Sequence, residues 1–225
     1  MFPVPWPGRP AREVDFALPG VLSYLRSMRP GEFSKIESIL ERRLGRRRPR
    51  ARSPGALQQA GVLVPVVLSP PPIALLMTLR TQLVETHKGQ VAFPGGVIDP
   101  LDGDVVETAL REAEEEIGIA RRDVRVLGVL DDLATPTGFL ITPVVGVLRE
   151  LPALHVNTDE VAEVFTVPLS FLADPASCVS EVLVLEGRER QIYRFEFSGK
   201  TIWGATALIV RSLLQVLEAQ DEATA

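Results

Sequence analysis

Cysteine is almost absent: Cys178 is the only one in 225 residues. No internal disulfide can form, which excludes a small secreted scaffold held together by cross-links. A reducing, cytoplasmic setting is the expectation. Long apolar runs are missing too. The most apolar stretch, residues 62–77, is broken by Ser69, Pro70, Pro71 and Pro72, so it cannot form one continuous membrane helix. The opening Met-Phe-Pro-Val-Pro-Trp-Pro has prolines where an export signal needs an uninterrupted apolar segment. Nor is there an excess of positive charge. A formal net charge of −5 gives no global attraction to nucleic acid, and an anionic substrate then requires cations gathered locally. No internal repeat is visible.

What remains is the composition of an ordinary globular chain. With 46% apolar and 24% charged residues it can bury a sizeable core, and its length suits one compact domain with extensions. Residues 1–55 read as an N-terminal extension. A short helix is expected at 21–28, and Phe33, Ile36, Leu40 and Leu44 fall at helical spacing with Gly45 as a natural stop. Arg42, Arg43, Arg46, Arg47, Arg48, Arg50 and Arg52 follow among Pro49 and Pro54, which reads as a solvated linker. Residues before about Ala56 are therefore expected to be dispensable for chemistry. The main domain is expected over residues 56–220, with a short tail at 221–225.

Within that domain, residues 62–68 and 73–79 are β-rich runs joined by Ser-Pro-Pro-Pro, the signature of a hairpin. Further strands are expected at 124–130, 140–148, 161–167, 181–185 and 191–197, the last two flanking a Gly-Arg-Glu-Arg turn. Helices are expected at 105–117, capped by Asp102 or Asp104 and ended by Gly118, and at 205–217. Strands interleaved with isolated helices make a mixed α/β sheet packed between helices.

The helix at 105–117 carries the chemistry. At about 100° per residue, Val106, Leu110, Ala113 and Ile117 form an apolar stripe that packs on a sheet. Glu112, Glu115 and Glu116 then gather on the face away from it. Like charges at that spacing destabilise a helix by about 0.2–0.5 kcal/mol per pair unless a cation compensates them. Mg²⁺ suits the role: it takes carboxylate oxygens, keeps several waters and shares its other positions with phosphates.

Arg111-Glu112-Ala113-Glu114-Glu115-Glu116-Ile117-Gly118-Ile119 resembles the second half of the Nudix box, G-x5-E-x7-R-E-U-x-E-E-x-G-U with U aliphatic. The first half departs from it, because Gly96 is followed after five residues by Asp102 instead of glutamate, and eight residues separate Asp102 from Arg111. Leu76-Met77-Thr78-Leu79-Arg80 and His87-Lys88-Gly89-Gln90-Val91-Ala92-Phe93-Pro94-Gly95-Gly96 resemble the upstream signature of one branch, the coenzyme A pyrophosphatases. Asn157-Thr158-Asp159-Glu160-Val161, Val167-Pro168-Leu169 and Ile202-Trp203-Gly204-Ala205-Thr206-Ala207 are similar to its later blocks. The resemblance runs from about Val62 to Leu217.

This resemblance implies a Nudix-type α/β/α sandwich with a mixed β-sheet between helices, and hydrolysis of a nucleoside diphosphate derivative such as coenzyme A, with Mg²⁺, or Mn²⁺ as its substitute. Glu112 and Glu116 are the first choice of metal ligands, and Glu115 binds a second ion or positions the water. Arg111 is carried over as the orienting partner of a box carboxylate. Glu160 and Glu163 lie where Nudix proteins can supply a distant carboxylate as base or ligand. Arg80, His87 and Lys88 are candidates for phosphate, with Gln90, Phe93, Gly95 and Gly96 completing the substrate contacts; the glycines permit close backbone approach. Trp203 reads as packing and Cys178 as an inert thiol. A small nucleotide is the expected partner. A homodimer is compatible with the sequence, while membrane and nucleic acid are not expected partners.

Overall fold

The computed structural model describes residues 18–28, 32, 34–83, 88–185 and 188–219. Its elements run α1 (Pro19–Ser27), α2 (Ser34–Arg46), β1 (Gln58–Val67), β2 (Ala74–Arg80), β3 (Val91–Ala92), β4 (Gly95–Val97), α3 (Val105–Ile117), β5 (Arg125–Val129), β6 (Leu133–Ala134), β7 (Phe139–Leu148), β8 (Val161–Pro168), α4 (Leu169–Leu172), β9 (Cys178–Leu185), β10 (Arg188–Phe197), β11 (Lys200–Trp203) and α5 (Gly204–Glu218).

The expected hairpin forms, with Val66 opposite Leu75 in antiparallel β1 and β2. β1 also runs parallel to β7, Gln58 opposite Phe139 through Val67 opposite Leu148, and that mixed pair is the centre of the main sheet. β5 lies outside β7, while β8 and β3 pair with β2. Strands at the centre are covered on both faces, which explains their nearly continuous apolar sequence. Side chains alternate accordingly. Val64 and Val66 of β1, Leu75 and Met77 of β2, and Val145 and Val147 of β7 join the larger core with α2 and α5. Leu63 and Val144 face Ala109, Leu110 and Ala113 of α3, and Val67 and Leu76 meet Ile117. The result is the expected α/β/α sandwich. A small antiparallel sheet, β9 to β11, joins the larger core through Tyr193, Phe195 and Ile202.

The boundaries of α3 follow from chemistry legible in the sequence. The Asp104 carboxylate accepts the N–H groups of Val106 and Glu107, both at 2.9 Å, satisfying two donors that the first turn leaves orphaned. Gly118 sits at φ 75° and ends the helix in a left-handed turn.

Elsewhere the expectations need correction. Gly45 does not stop α2, which continues to Arg46. Arg188–Arg190, expected in a turn, belong to β10, and Arg188 lies opposite Leu185. The arginine-rich segment is not simply solvated. The backbone N–H groups of Arg50 and Arg52 bond Asp131 and Asp132 at 2.7 and 2.8 Å, and Arg47 pairs with Asp131 at 2.6 Å. Residues before 56 also contribute Val21, Ile36, Leu40 and Leu44 to the main core. Among the described residues no helix is long and apolar enough to cross a membrane.

Candidate active site

α3 crosses the sheet so that one flank meets β4 and the C-terminal end of β2. Glu116, expected on the outward face, is for that reason buried, with 3% of its surface exposed. Arg80, the last residue of β2, reaches it with Nη1 3.4 Å from Oε1. Burial outweighs this attraction and, with the negative charges of Glu112 and Glu160, pushes the Glu116 carboxyl up to about 7. Glu112, one turn earlier and mostly covered, is shifted upward by burial as well, against the pull of Arg111. Glu115 stays largely in solvent.

Gly96 passes directly over Glu112. A Cβ at this position would stand 2.5 Å from the Glu112 carboxyl carbon, so any other residue here would push that carboxylate out of its present position. Gly95 is pressed against β1 in the same way: its Cβ would meet the Gly61 carbonyl oxygen at 2.5 Å.

Arg111 joins the carboxylates to the preceding loop. Its Nε and Nη2 bond the two oxygens of Asp102 at 3.0 and 3.1 Å, and Nη1 lies 2.9 Å from both Glu112 and Glu115. Three carboxylates, Asp102, Glu112 and Glu115, are thus tied through one guanidinium. Asp102 accepts two more bonds, from Thr108 Oγ1 at 2.8 Å and the Asp99 N–H at 2.9 Å. With both oxygens engaged it anchors the loop.

The distant carboxylate brought to this cluster is Glu160. The segment before it returns along the end of α3, where the Asn157 N–H donates to the Glu116 carbonyl at 2.9 Å. The Asn157 side-chain amide donates to Glu160 at 3.2 Å. Glu163, singled out as a catalytic candidate, is carried elsewhere by strand alternation: Val164 packs toward α3 and Phe165 toward α5. Glu163 pairs with Lys200 at 3.0 Å, and that ammonium also lies 4.9 Å from the centre of the Phe165 ring.

Beyond Arg80 opens a cleft of about 400 Å³, lined among others by Arg80, Gly89, Val91, Ala162, Lys200 and Trp203. It brings together segments far apart in sequence, and the Thr206 hydroxyl bonds the Val91 carbonyl at 2.9 Å across the same junction. Among the other candidates, Lys88 is exposed, the Gln90 carbonyl accepts the Arg80 N–H at 3.0 Å, and His87 lies outside the described residues. Phe93, expected to complete the substrate contacts, is packed in the main core with 5% exposed. Trp203 corrects the opposite way: expected in the interior, it is 44% exposed at the cleft. Cys178 is half-buried, and burial pushes its thiol up to about 11, which keeps it protonated and unreactive. Lys200 was missed. Its signal was Ser198-Gly199 between two strand-like runs, a two-residue hairpin loop.

Among the described residues no three His, Cys, Asp or Glu side chains already form a metal cage. The donor chemistry nevertheless fits Mg²⁺, which rarely uses an all-protein cage and takes hard oxygen ligands. Burial shifts the two covered glutamates toward their neutral forms, and a divalent cation would stabilise the ionised forms, beside a glycine that leaves Glu112 space.

The NUDIX domain profile matches residues 58–177, more than half of the chain. The chain belongs to the Nudix family. This Nudix protein is 42% identical over 161 residues to the "Uncharacterized Nudix hydrolase NudL" of Photorhabdus laumondii subsp. laumondii, covering 72% of this chain and 86% of that one. The like-named protein of Pectobacterium atrosepticum is 42% identical over 160 residues, covering 69% and 81%. Among solved structures, a Nudix hydrolase from Alicyclobacillus acidocaldarius aligns over 71% of this chain and 91% of its own, with 19% identity and a TM-score of 0.44.

Proposed function

We propose that this Nudix hydrolase cleaves the diphosphate of coenzyme A or an acyl derivative to 3′,5′-ADP and 4′-phosphopantetheine or its acyl form. The water oxygen forms a bond to one phosphorus, the P–O bond of the anhydride breaks, and the released phosphate carries away the bridging oxygen. The observation that carries the reading is the contact of Arg80 with Glu116: a guanidinium, whose fork suits phosphate, stands where the carboxylate cluster and the cleft meet. Glu112, Glu115 and Glu116 would hold Mg²⁺, with Mn²⁺ as a substitute. Such an ion supplies charge neutralisation at the diphosphate and acidifies a bound water.

The protein's own groups do the remaining work. Arg111 fixes Glu112 and Glu115 by charge-assisted bonds and is itself fixed by Asp102. Arg80 offers a guanidinium fork to a phosphate oxygen, drawn partly from its long contact with Glu116. Glu160, whose charge is felt by Glu112 and Glu116, would take a proton from the attacking water. Support for coenzyme A comes from the meeting of Arg80, Gly89 and Val91 with Trp203 around one cleft, since these four belong to the blocks that resemble the coenzyme A branch.

Chromatographic product analysis after incubation with coenzyme A tests the reading. Formation of 3′,5′-ADP with Mg²⁺, and none with EDTA, is the expected result. Absence of that product, with turnover of another diphosphate, overturns the substrate assignment.

A further inference from the structure

The cleft continues away from the carboxylates to a second cation that the reaction itself does not need. Lys200 is the first residue of β11 and follows a two-residue loop in which Ser198 and Gly199 have φ of 50° and 75°. Phe197 pairs directly with Lys200. Two successive left-handed residues joining paired strands make the tight turn whose twist matches the strands it connects, so the position of Lys200 is set by a stiff hairpin. Its side chain is held as well. The ammonium is 3.0 Å from Glu163 and 4.9 Å from the Phe165 ring centre, and only 17% of the side chain is exposed. A long, flexible cation fixed in this way has already lost much of the rotamer freedom that binding would otherwise remove. An ammonium has three donors, and a single carboxylate does not exhaust them.

Two cations, Arg80 and Lys200, line this one cleft. Arg80 stands at the end shared with Glu116, whereas Lys200 is anchored by Glu163 and Phe165 on the sheet face opposite α3. We propose that Lys200 recognises a phosphomonoester carried by the substrate apart from its diphosphate, such as the 3′-phosphate on the ribose of coenzyme A, with Glu163 and Phe165 as the residues that position it. The inference rests on the diphosphatase reading for its substrate, but the subsite can be tested without turnover. A phosphomonoester near neutral pH carries close to two negative charges and several acceptor oxygens, enough to engage the ammonium beside Glu163. A substrate lacking that group loses about ten- to hundredfold in affinity, the value of one charge-assisted contact.

The test compares wild type with Lys200→Gln and Lys200→Arg in the full chain, each checked for folding by thermal melt. The kinetic arm measures kcat/KM for coenzyme A and for dephospho-coenzyme A. Wild type is expected to prefer coenzyme A by about ten- to hundredfold, mainly through KM; Lys200→Gln should bring the ratio close to one and Lys200→Arg should restore most of it. Equal use of both substrates by wild type, with Lys200→Gln leaving the ratio unchanged, overturns the inference and leaves the coenzyme A reading intact. If wild type turns over neither substrate, that reading has failed, and calorimetric titration decides on the subsite alone. Tighter binding of adenosine 3′,5′-bisphosphate than of AMP, lost in Lys200→Gln, supports it; no preference, or a preference that survives Lys200→Gln, overturns it. A variant that fails to fold is replaced by Lys200→Met, judged by the same ratio and the same titration.

Discussion

Arg111 grips Asp102 with two nearly equal bonds, Nε to Oδ1 at 3.0 Å and Nη2 to Oδ2 at 3.1 Å. The fork holds the Asp102 carboxyl well below the usual carboxylate range, with the Asp99 N–H as the next contribution. Because Asp102 is saturated by Arg111, Asp99 and Thr108, it acts through Arg111, which in turn fixes Glu112 and Glu115. Asp102→Asn is therefore expected to lower kcat/KM by about ten- to hundredfold, as loss of an orienting partner does at metal sites. Arg111→Lys should do the same, and the double variant should be little worse than either single one. Steady-state kinetics on the three variants checks this, and fully additive losses would mean that the two residues act independently.

Glu116→Gln and Glu112→Gln are expected to lower kcat by roughly 10²–10³-fold, the size of loss seen when one electrostatic stabiliser is removed from an active site. The fold should survive. Burial of Glu116 disfavours its charge, so Glu116→Gln should melt no lower than wild type in EDTA at about pH 8. Unchanged turnover at saturating Mg²⁺ in both variants would remove these residues from the mechanism.

The buried carboxylates also set a pH dependence for the metal-free protein. Glu116 titrates ordinarily at 4.5 and in the folded protein at about 7, so the unfolded chain releases this proton first as pH rises. Stability from this group is fully present below about 4.5, is lost as pH rises toward 7, and levels off above it. Glu112 is shifted in the same direction. Asp102, shifted downward from 3.8, contributes stability that is lost only at more acid pH, outside this window. Urea unfolding in EDTA should show a falling midpoint from about pH 5 to about pH 8, and Mg²⁺, which binds the ionised form, should flatten the fall. A midpoint that rises through that window in EDTA would contradict the burial argument.

The helices before residue 56 predict a structural cost to their removal. Leu40 is fully buried and Ile36 nearly so, both within the core shared with the sheet. Leu40→Ala should destabilise the protein by about 2–5 kcal/mol, and a chain starting at Ala56 should aggregate or melt at markedly lower temperature. A truncated protein with the full-length melting temperature would restore the view of this segment as a dispensable extension.

Local chemistry made some of this architecture legible and long-range packing concealed the rest. Asp104, the Val106-Leu110-Ala113-Ile117 stripe and Gly118 marked α3, because capping and helical periodicity are written within a few residues of one another. The alternate valines and leucines of β1, β2 and β7 marked the central strands. β3, β4 and β6 were invisible because two or three residues carry no period, and only pairing makes them strands. Burial of Glu116 could not be read from the helix alone, since it depends on where α3 crosses β2 and β4. Glu160 and Glu163 differ by three positions on one segment, and the direction each side chain takes is decided by the strand that starts at Val161. Lys200 required recognising a two-residue loop and knowing that its hairpin folds back beside Arg80.

The most direct test of the account is the specificity ratio, because specificity is a ratio of kcat/KM values. Coenzyme A, ADP-ribose and a deoxynucleoside triphosphate should be assayed with the full chain at one saturating Mg²⁺ concentration. The account predicts the highest kcat/KM for coenzyme A and no turnover in EDTA. A higher kcat/KM for ADP-ribose or the triphosphate would contradict it.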